Sequence, residues 1–362
     1  MTTSPTLCVW MLALAAAALG ELVVGSASAQ EADAEPGYPR LSVTVPIEIE
    51  SDNTVDATDS AAELSDTYTT TEAEIALEYA EGSGAFALLV LEPLIDPEDD
   101  RFFEDIGLYA EELYLRHDFG PLAVIGGKFD PDFGVAWDAA PGIYGVDFAE
   151  DYELTERIGF GVEVPFALAG GEHLFSASTY FADTTALSDS ALFRRGQTDR
   201  SDGGVSNTES FESFAVAVSG EIDALGYNVG LRYQERGRGD ADDELGGVLG
   251  LTYAVALGEG ELGLLGEVAL FDGYQGATDD ATYGTFGASY GLGPWSGSAV
   301  YAFRDVDNAT TDHLATATLD YTFDAGVTAS VAYRYGDEGG VESHTIGFLL
   351  AYELGFVTDF SR

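Results

Sequence analysis

The chain is poor in bases. It has a single lysine, Lys128, and fourteen Lys and Arg in all against 64 Asp and Glu, a formal charge of −50. Generic nucleic-acid binding needs a basic face, so nucleic-acid partners are excluded. The only cysteine is Cys8, inside an apolar run at the N-terminus. Beyond it there are no disulfides, thiolate metal sites or cysteine nucleophiles. After that run no apolar stretch reaches the ~18 residues of a membrane-spanning helix. The four histidines, His117, His173, His313 and His344, are scattered without a metal-ligand spacing such as HExxH. The acids are spread so evenly that no pair stands out as an acid–base couple, and the expectation is a protein that is not an enzyme.

What is present is aromatic, small and alternating. Phe numbers 21, Tyr 19 and Gly 44, and the hydrophobic fraction is 46%. That is material for strands and tight turns, and enough apolar surface to escape the disorder that such acidity often signals. Residues 1–29 read as a secretory signal: an apolar run from Val9 to Leu19, then the small-x-small pattern Ala27-Ser28-Ala29. The run has no basic residue before it, and the one acid within residues 1–29 is Glu21, so the mature charge is about −49. Residues 30–37 read as a short periplasmic segment and 38–362 as one barrel domain.

From Leu41 to Glu50 apolar and polar residues alternate without error, with Leu41, Val43, Val45, Ile47 and Ile49 on one face and Glu48 and Glu50 on the other. Period two marks a strand with one apolar and one wet face. Pro46 reads as a bulge. In Thr71–Ala80, Glu72, Glu74 and Glu78 oppose Ile75 and Leu77. In Leu108–His117, Glu112, Tyr114 and Arg116 oppose Leu113 and Leu115. In Leu122–Phe129, Lys128 opposes Ile125 and Phe129, and in Arg157–Phe166, Arg157 and Glu163 oppose Ile158, Phe160 and Val162. Ala85–Leu91 is apolar on both faces and takes no orientation. Sixteen such segments follow one another to His344–Phe356. Long connections (51–68, 92–107, 130–156, 183–213, 236–247, 272–281, 305–312, 336–343) alternate with short turns. An even strand number with that alternation predicts an all-β, transmembrane, antiparallel up-and-down β-barrel of 16 strands in the bacterial outer membrane. A barrel has no edge and satisfies every backbone group inside the bilayer.

The third long connection, 130–156, carries Asp130, Asp132, Asp138, Asp147, Glu150, Asp151 and Glu153 and no base. With Lys128 beside it, it is expected to fold into the lumen as a constriction. Inward positions on the strands supply Glu112, Arg116, Arg157, Arg232, Arg304 and Arg334. Acids on the loop facing bases on the wall would set a transverse field, and the excess of acids predicts cation preference. Gly159, Gly161, Gly230, Thr252, Ser296, Ser298, Thr316, Thr318 and Ser330 on the inner face leave space for water. The clusters Asp96–Asp100 and Asp240–Glu244 suit Ca²⁺ or Mg²⁺ at the surface, bridging to lipopolysaccharide phosphates. No other cofactor or metal is expected.

The hairpin from Glu72 to Glu92, the strand Ala110-Glu-Glu-Leu-Tyr114, the step Gly127-Lys-Phe-Asp-Pro-Asp-Phe-Gly134 and the segment Glu153-Leu-Thr-Glu-Arg-Ile-Gly-Phe160 resemble bacterial outer-membrane porins. The nearest resemblance is to siderophore porins of the LbtU type, and more loosely to phosphate-selective and general porins. It covers about a quarter of the chain. Asp132 separates Pro131 from Phe133, where the family has Pro-Phe-Gly. The resemblance implies passive transport. Small hydrophilic solutes and ions are the first expectation, ferric siderophores or other iron chelates the second, and a structural or adhesive barrel the third. The last strand, with Phe348, Tyr352 and Phe356, resembles the signal read by the barrel assembly machinery, although Val357–Arg362 continue past it. Outer-membrane lipid and lipopolysaccharide are expected partners. A homotrimer is expected by analogy with sixteen-stranded porins.

Overall fold

The computed structural model describes residues 37–360, so the signal sequence 1–29 and most of the segment 30–37 lie outside the described residues. Sixteen long strands follow in chain order: β1 (Arg40–Ala57), β2 (Ser65–Ala80), β3 (Ser83–Pro93), β4 (Ile106–Asp118), β5 (Ala123–Phe129), β6 (Arg157–Leu168), β7 (Gly171–Ala182), β8 (Ser213–Ile222), β9 (Leu225–Gln234), β10 (Glu244–Leu257), β11 (Gly260–Asp272), β12 (Ala281–Leu292), β13 (Trp295–Val306), β14 (Asp312–Thr322), β15 (Thr328–Glu338) and β16 (Val341–Asp359). Each pairs antiparallel with its neighbour in sequence. The ring closes where β1 meets β16, from Arg40 opposite Asp359 to Ala57 opposite Ser343. The fold is therefore a closed sixteen-stranded barrel, in which every strand edge is paired. Two further strands of two residues, Arg101–Phe102 and Ala191–Leu192, belong to the long connections.

The outward face is apolar. Leu113, Leu115, Phe160, Leu231, Leu249, Leu270, Phe286 and Phe348 are among the exposed large side chains, each from a strand position whose neighbours point inward. Apolar side chains facing away from the interior all around a closed sheet form a lipid-facing belt. β3, unoriented by its sequence, turns Phe86, Leu88 and Val90 inward, because they lie opposite the inward Tyr114, Glu112 and Tyr109.

Three local expectations need correction. Pro46 is not at a bulge: it stays in register opposite Glu353, and its missing N–H falls where pairing to β2 is interrupted. The last long connection is a two-residue turn. Gly339 and Gly340 both have positive φ, which a tight hairpin turn requires, so the strands run on to Glu338 and from Val341. β16 does not stop at Phe356, since Val357 and Thr358 still pair with Ser42 and Leu41.

One bulge matters for the interior. Leu88 pairs with Glu112 and Leu89 with Ala110, which leaves Glu111 as the extra residue. An extra residue re-aims a side chain. Glu111 and Glu112 consequently both project inward, where strict alternation would allow only one.

Candidate functional site

The connection 130–156 lies inside the barrel, fastened along the inner wall of β7 to β16. At its start Asp132 accepts hydrogen bonds from Ser176 and Asn228, at 3.1 and 2.8 Å. Glu267 of β11, 1% exposed, accepts from the Val135 and Ala136 N–H groups and from the Tyr152 hydroxyl, at 2.7, 3.3 and 2.7 Å. Further on, Ile143 N–H donates to Thr318 and the Tyr144 hydroxyl to Asp52 of β1. On the return, Asp147 pairs with Arg334 at 2.8 Å and Asp151 with Arg304 at 2.6 Å. Phe133, Tyr152, Phe271, Tyr274 and Tyr283 close an aromatic cluster between loop and wall.

This course explains the small residues of the wall, which were expected to leave room for water. A β-carbon on Gly230 would approach Phe133 to 3.1 Å, one on Gly287 would approach Pro141 to 2.9 Å, and one on Gly347 would collide with Tyr144. The small side chains on that half of the barrel are in large part the footprint of the loop.

Replacing Glu267 with alanine leaves two buried N–H groups and a hydroxyl without an acceptor. We expect a loss of about 3 kcal/mol, the scale of hydrogen bonds to a charged group, and an increase in conductance as the loop base detaches. Thermal unfolding in detergent and single-channel recording check the two halves of this expectation.

Of the wall bases expected to set a transverse field, all but Arg157 are held in ion pairs. Arg232, 3% exposed, pairs with Glu244 at 2.7 Å and donates to the Tyr152 carbonyl beneath the loop. Arg304 is held by Asp151 and Asp312, and Arg334 by Asp147 and Glu338. Arg116 pairs with Glu163 at 2.9 Å. Arg157 is the exception: among the described residues its Nε is buried without a partner.

Lys128 also departs from expectation. Its side chain is fully buried and pairs with Glu156 at 2.6 Å and Asp183 at 2.9 Å, so it puts no charge into the channel. The face assignment of β5 is reversed: Phe129 and Ile125 lie beside inward Gly161, and Lys128 is on the other side.

What the loop faces across the opening is acid. Glu153 lies within the electrostatic reach of Glu111 and Glu72 of the wall as well as Glu150 and Asp138 of the loop, and Glu150 within that of Glu92 and Glu72. Oxygens of Glu111, Asp130 and Glu153 lie within 4.8 Å of one another. Glu72, Glu92 and Glu111 of the wall thus stand near Asp138, Glu150 and Glu153 of the loop. Burial, then the charges of Glu111 and Glu112, pushes Asp130 well above the ordinary carboxylate range. Burial and the surrounding acids raise Glu153 to about 8 and Glu150 to about 7. Burial raises Asp147 to about 6 against the pull of Arg334.

Glu72, Glu92 and Glu111 were not picked out as site residues in the sequence. The available signal was the inner face of the first strands, where Glu48, Glu50, Glu72 and Glu74 stand without a base between them. Of the acidic surface clusters, Asp240 accepts from Gly204 and Gly237 N–H and ties two external loops together, while Glu244 is buried against Arg232. All four histidines make one contact in common, a tyrosine hydroxyl on Nδ1: Tyr79 with His117, Tyr227 with His173, Tyr301 with His313 and Tyr333 with His344.

No protein-family model and no curated sequence matches the chain. Solved structures do match in fold. The outer membrane channel DcaP of Acinetobacter baumannii superposes with a TM-score of 0.60 at 11% identity, over 90% of this chain and 100% of that one. OprB of Pseudomonas putida gives 0.60 at 11% identity, over 87% and 94%. A mutant of the Rh. blastica porin gives 0.51 at 17% identity, over 87% and 100%. The barrel is that of the outer-membrane porins.

Proposed function

We propose that the protein is a passive, cation-preferring channel of the outer membrane for small hydrophilic solutes and ions. What supports this reading is the gathering of wall and loop carboxylates around Glu153, with the lumen arginines other than Arg157 neutralised by ion pairs. A ring of Asp and Glu side chains at the narrowest section concentrates cations and repels anions. The same charge opposes anionic ferric siderophores, the alternative that the LbtU-type resemblance raises. Glu72 and Glu74 on the inner face of β2 remain exposed, which speaks against a filled structural or adhesive barrel. Trimeric assembly, and assembly-machinery recognition of Phe348, Tyr352 and Phe356, belong to the same proposal.

The test is a planar bilayer under a salt gradient. A reversal potential displaced toward that of the cation is expected. Displacement toward the anion would sink the charge argument, and absence of conductance would sink the channel itself.

A further inference from the structure

The connection 183–212 also builds something on the outside of the barrel. β5 pairs with β4 only as far as Lys128 opposite Leu113, which leaves the start of β4 without it, and Ala191 and Leu192 take its place by pairing with Leu108 and Gly107. The loop is therefore part of the wall here, at the end that carries the long loops. That end faces outside in barrels of this class. Between it and the lipid-facing side of β3 and β4 lies a crevice of about 520 Å³. Its floor is apolar, from Leu89, Leu108, Ala110, Leu187 and Ala191, and Arg194 stands at its margin. The volume is within the usual range of a small-molecule site.

Two features indicate what fills it. The floor belongs to the apolar outer belt, so its neighbour is lipid rather than water; Leu108 is 38% exposed and Leu192, next to the floor, 73%. Arg194 pairs with Asp189 yet remains 74% exposed, so part of its donor fork is free. An arginine fork matches phosphate geometry. An apolar trough ending at an exposed, only partly paired guanidinium, at the end that carries the long loops, fits a chain attached to a phosphate.

We propose that this crevice binds lipid A, the phosphorylated acylated sugar lipid of the outer leaflet, with an acyl chain along the floor and a phosphate on Arg194. The inference is independent of the channel's ion preference. The test uses the folded, full-length barrel in detergent with added lipid A, and native mass spectrometry counts the bound lipid. Ala110→Trp fills the trough from the outer face without touching the lumen, and Ala191→Phe fills it from the loop. Each should lose most of the bound lipid while conductance stays that of the parent. Arg194→Gln should keep dephosphorylated lipid A but lose about tenfold in preference for the phosphorylated form, the scale of one charge-assisted hydrogen bond. Unchanged binding in both trough variants would overturn the site. Unchanged phosphate preference in Arg194→Gln would overturn the headgroup assignment, and equal retention of a phospholipid would overturn the choice of lipid A.

Discussion

Glutamine at positions 72, 111 and 153 together should remove most of the cation preference. The expected change in the cation-to-anion permeability ratio at 0.1 M salt and pH 9, where Glu153 is ionised, is about tenfold, toward unity. A unit charge at ~4 Å in water is worth about 1 kcal/mol, so three carboxylates around one opening comfortably exceed the ~1.4 kcal/mol that a tenfold ratio represents. The substitution keeps side-chain volume, and of the three only Glu111 bonds to the loop, through Asp130, a contact that a glutamine amide can keep; Glu267, Arg334 and Arg304 fasten the loop. A shift in selectivity without a rise in conductance would therefore report charge alone. Screening supplies a second check. The Debye length falls from about 10 Å at 0.1 M to about 3 Å at 1 M, so the parent's preference should shrink in concentrated salt and the triple variant's should hardly move. Asp99→Asn, on the external connection 94–105, should leave the ratio unchanged. If the triple variant retains the parent's ratio, the constriction is not where selection occurs.

The barrel was legible because its signal repeats. Each strand carries the same period-two pattern, and sixteen repetitions survive an irregularity such as Pro46. The alternation of longer and shorter connections was legible for the same reason, but not every length: the first, read as 51–68, is only 58–64 because β1 and β2 pair on to Asn53 and Ser65, and at Gly339–Gly340 two positive-φ residues close a turn that polar composition alone presents as a loop. The constriction was half legible. Its acids could be read from one stretch, but what they face depends on which wall the loop leaves uncovered, a long-range property. Glu267 shows the difficulty: it is one glutamate among many in sequence, and in the fold it anchors the loop base through three hydrogen bonds. Arg304 and Arg334 show the same difficulty: a base on a wall near an acidic loop binds the loop and ceases to face it across a gap. Lys128 was misplaced because β5 is short and irregular, with Gly127 at φ 144°, so the alternation that orients a longer strand had little length in which to act. Glu111 points inward only because a bulge shifts the pleat, and a bulge has no reliable signature in a single sequence.

Lowering the pH from 8.5 to 5.5 should reduce cation preference reversibly, with most of the change between about pH 8 and 6. Glu153 is raised to about 8 by burial and by Glu111, and Glu150 to about 7 by burial and by Asp147, so both take up protons across this interval. Asp147, at about 6, follows at the lower end. Glu150 is exposed to the channel water, and added salt should draw its titration back toward the ordinary range. Glu153, partly buried beside Glu111 and Asp130, should respond less to salt. The stability consequence has the opposite sign from the usual ion-paired carboxylate. These acids hold protons more tightly folded than unfolded, so between their unfolded values near 4.5 and their folded values the native state binds more protons. Stability then falls as pH rises through that window. Glu150→Gln with Glu153→Gln should flatten both curves: selectivity low and nearly constant with pH, and the melting temperature declining less between pH 5 and 8.5. The two readouts separate the causes. A selectivity that titrates in the parent and not in the double variant places the titrating charge at the constriction, while a pH-independent parent would mean that these carboxylates stay ionised throughout and that water and counter-ions in the lumen relieve their repulsion without protons.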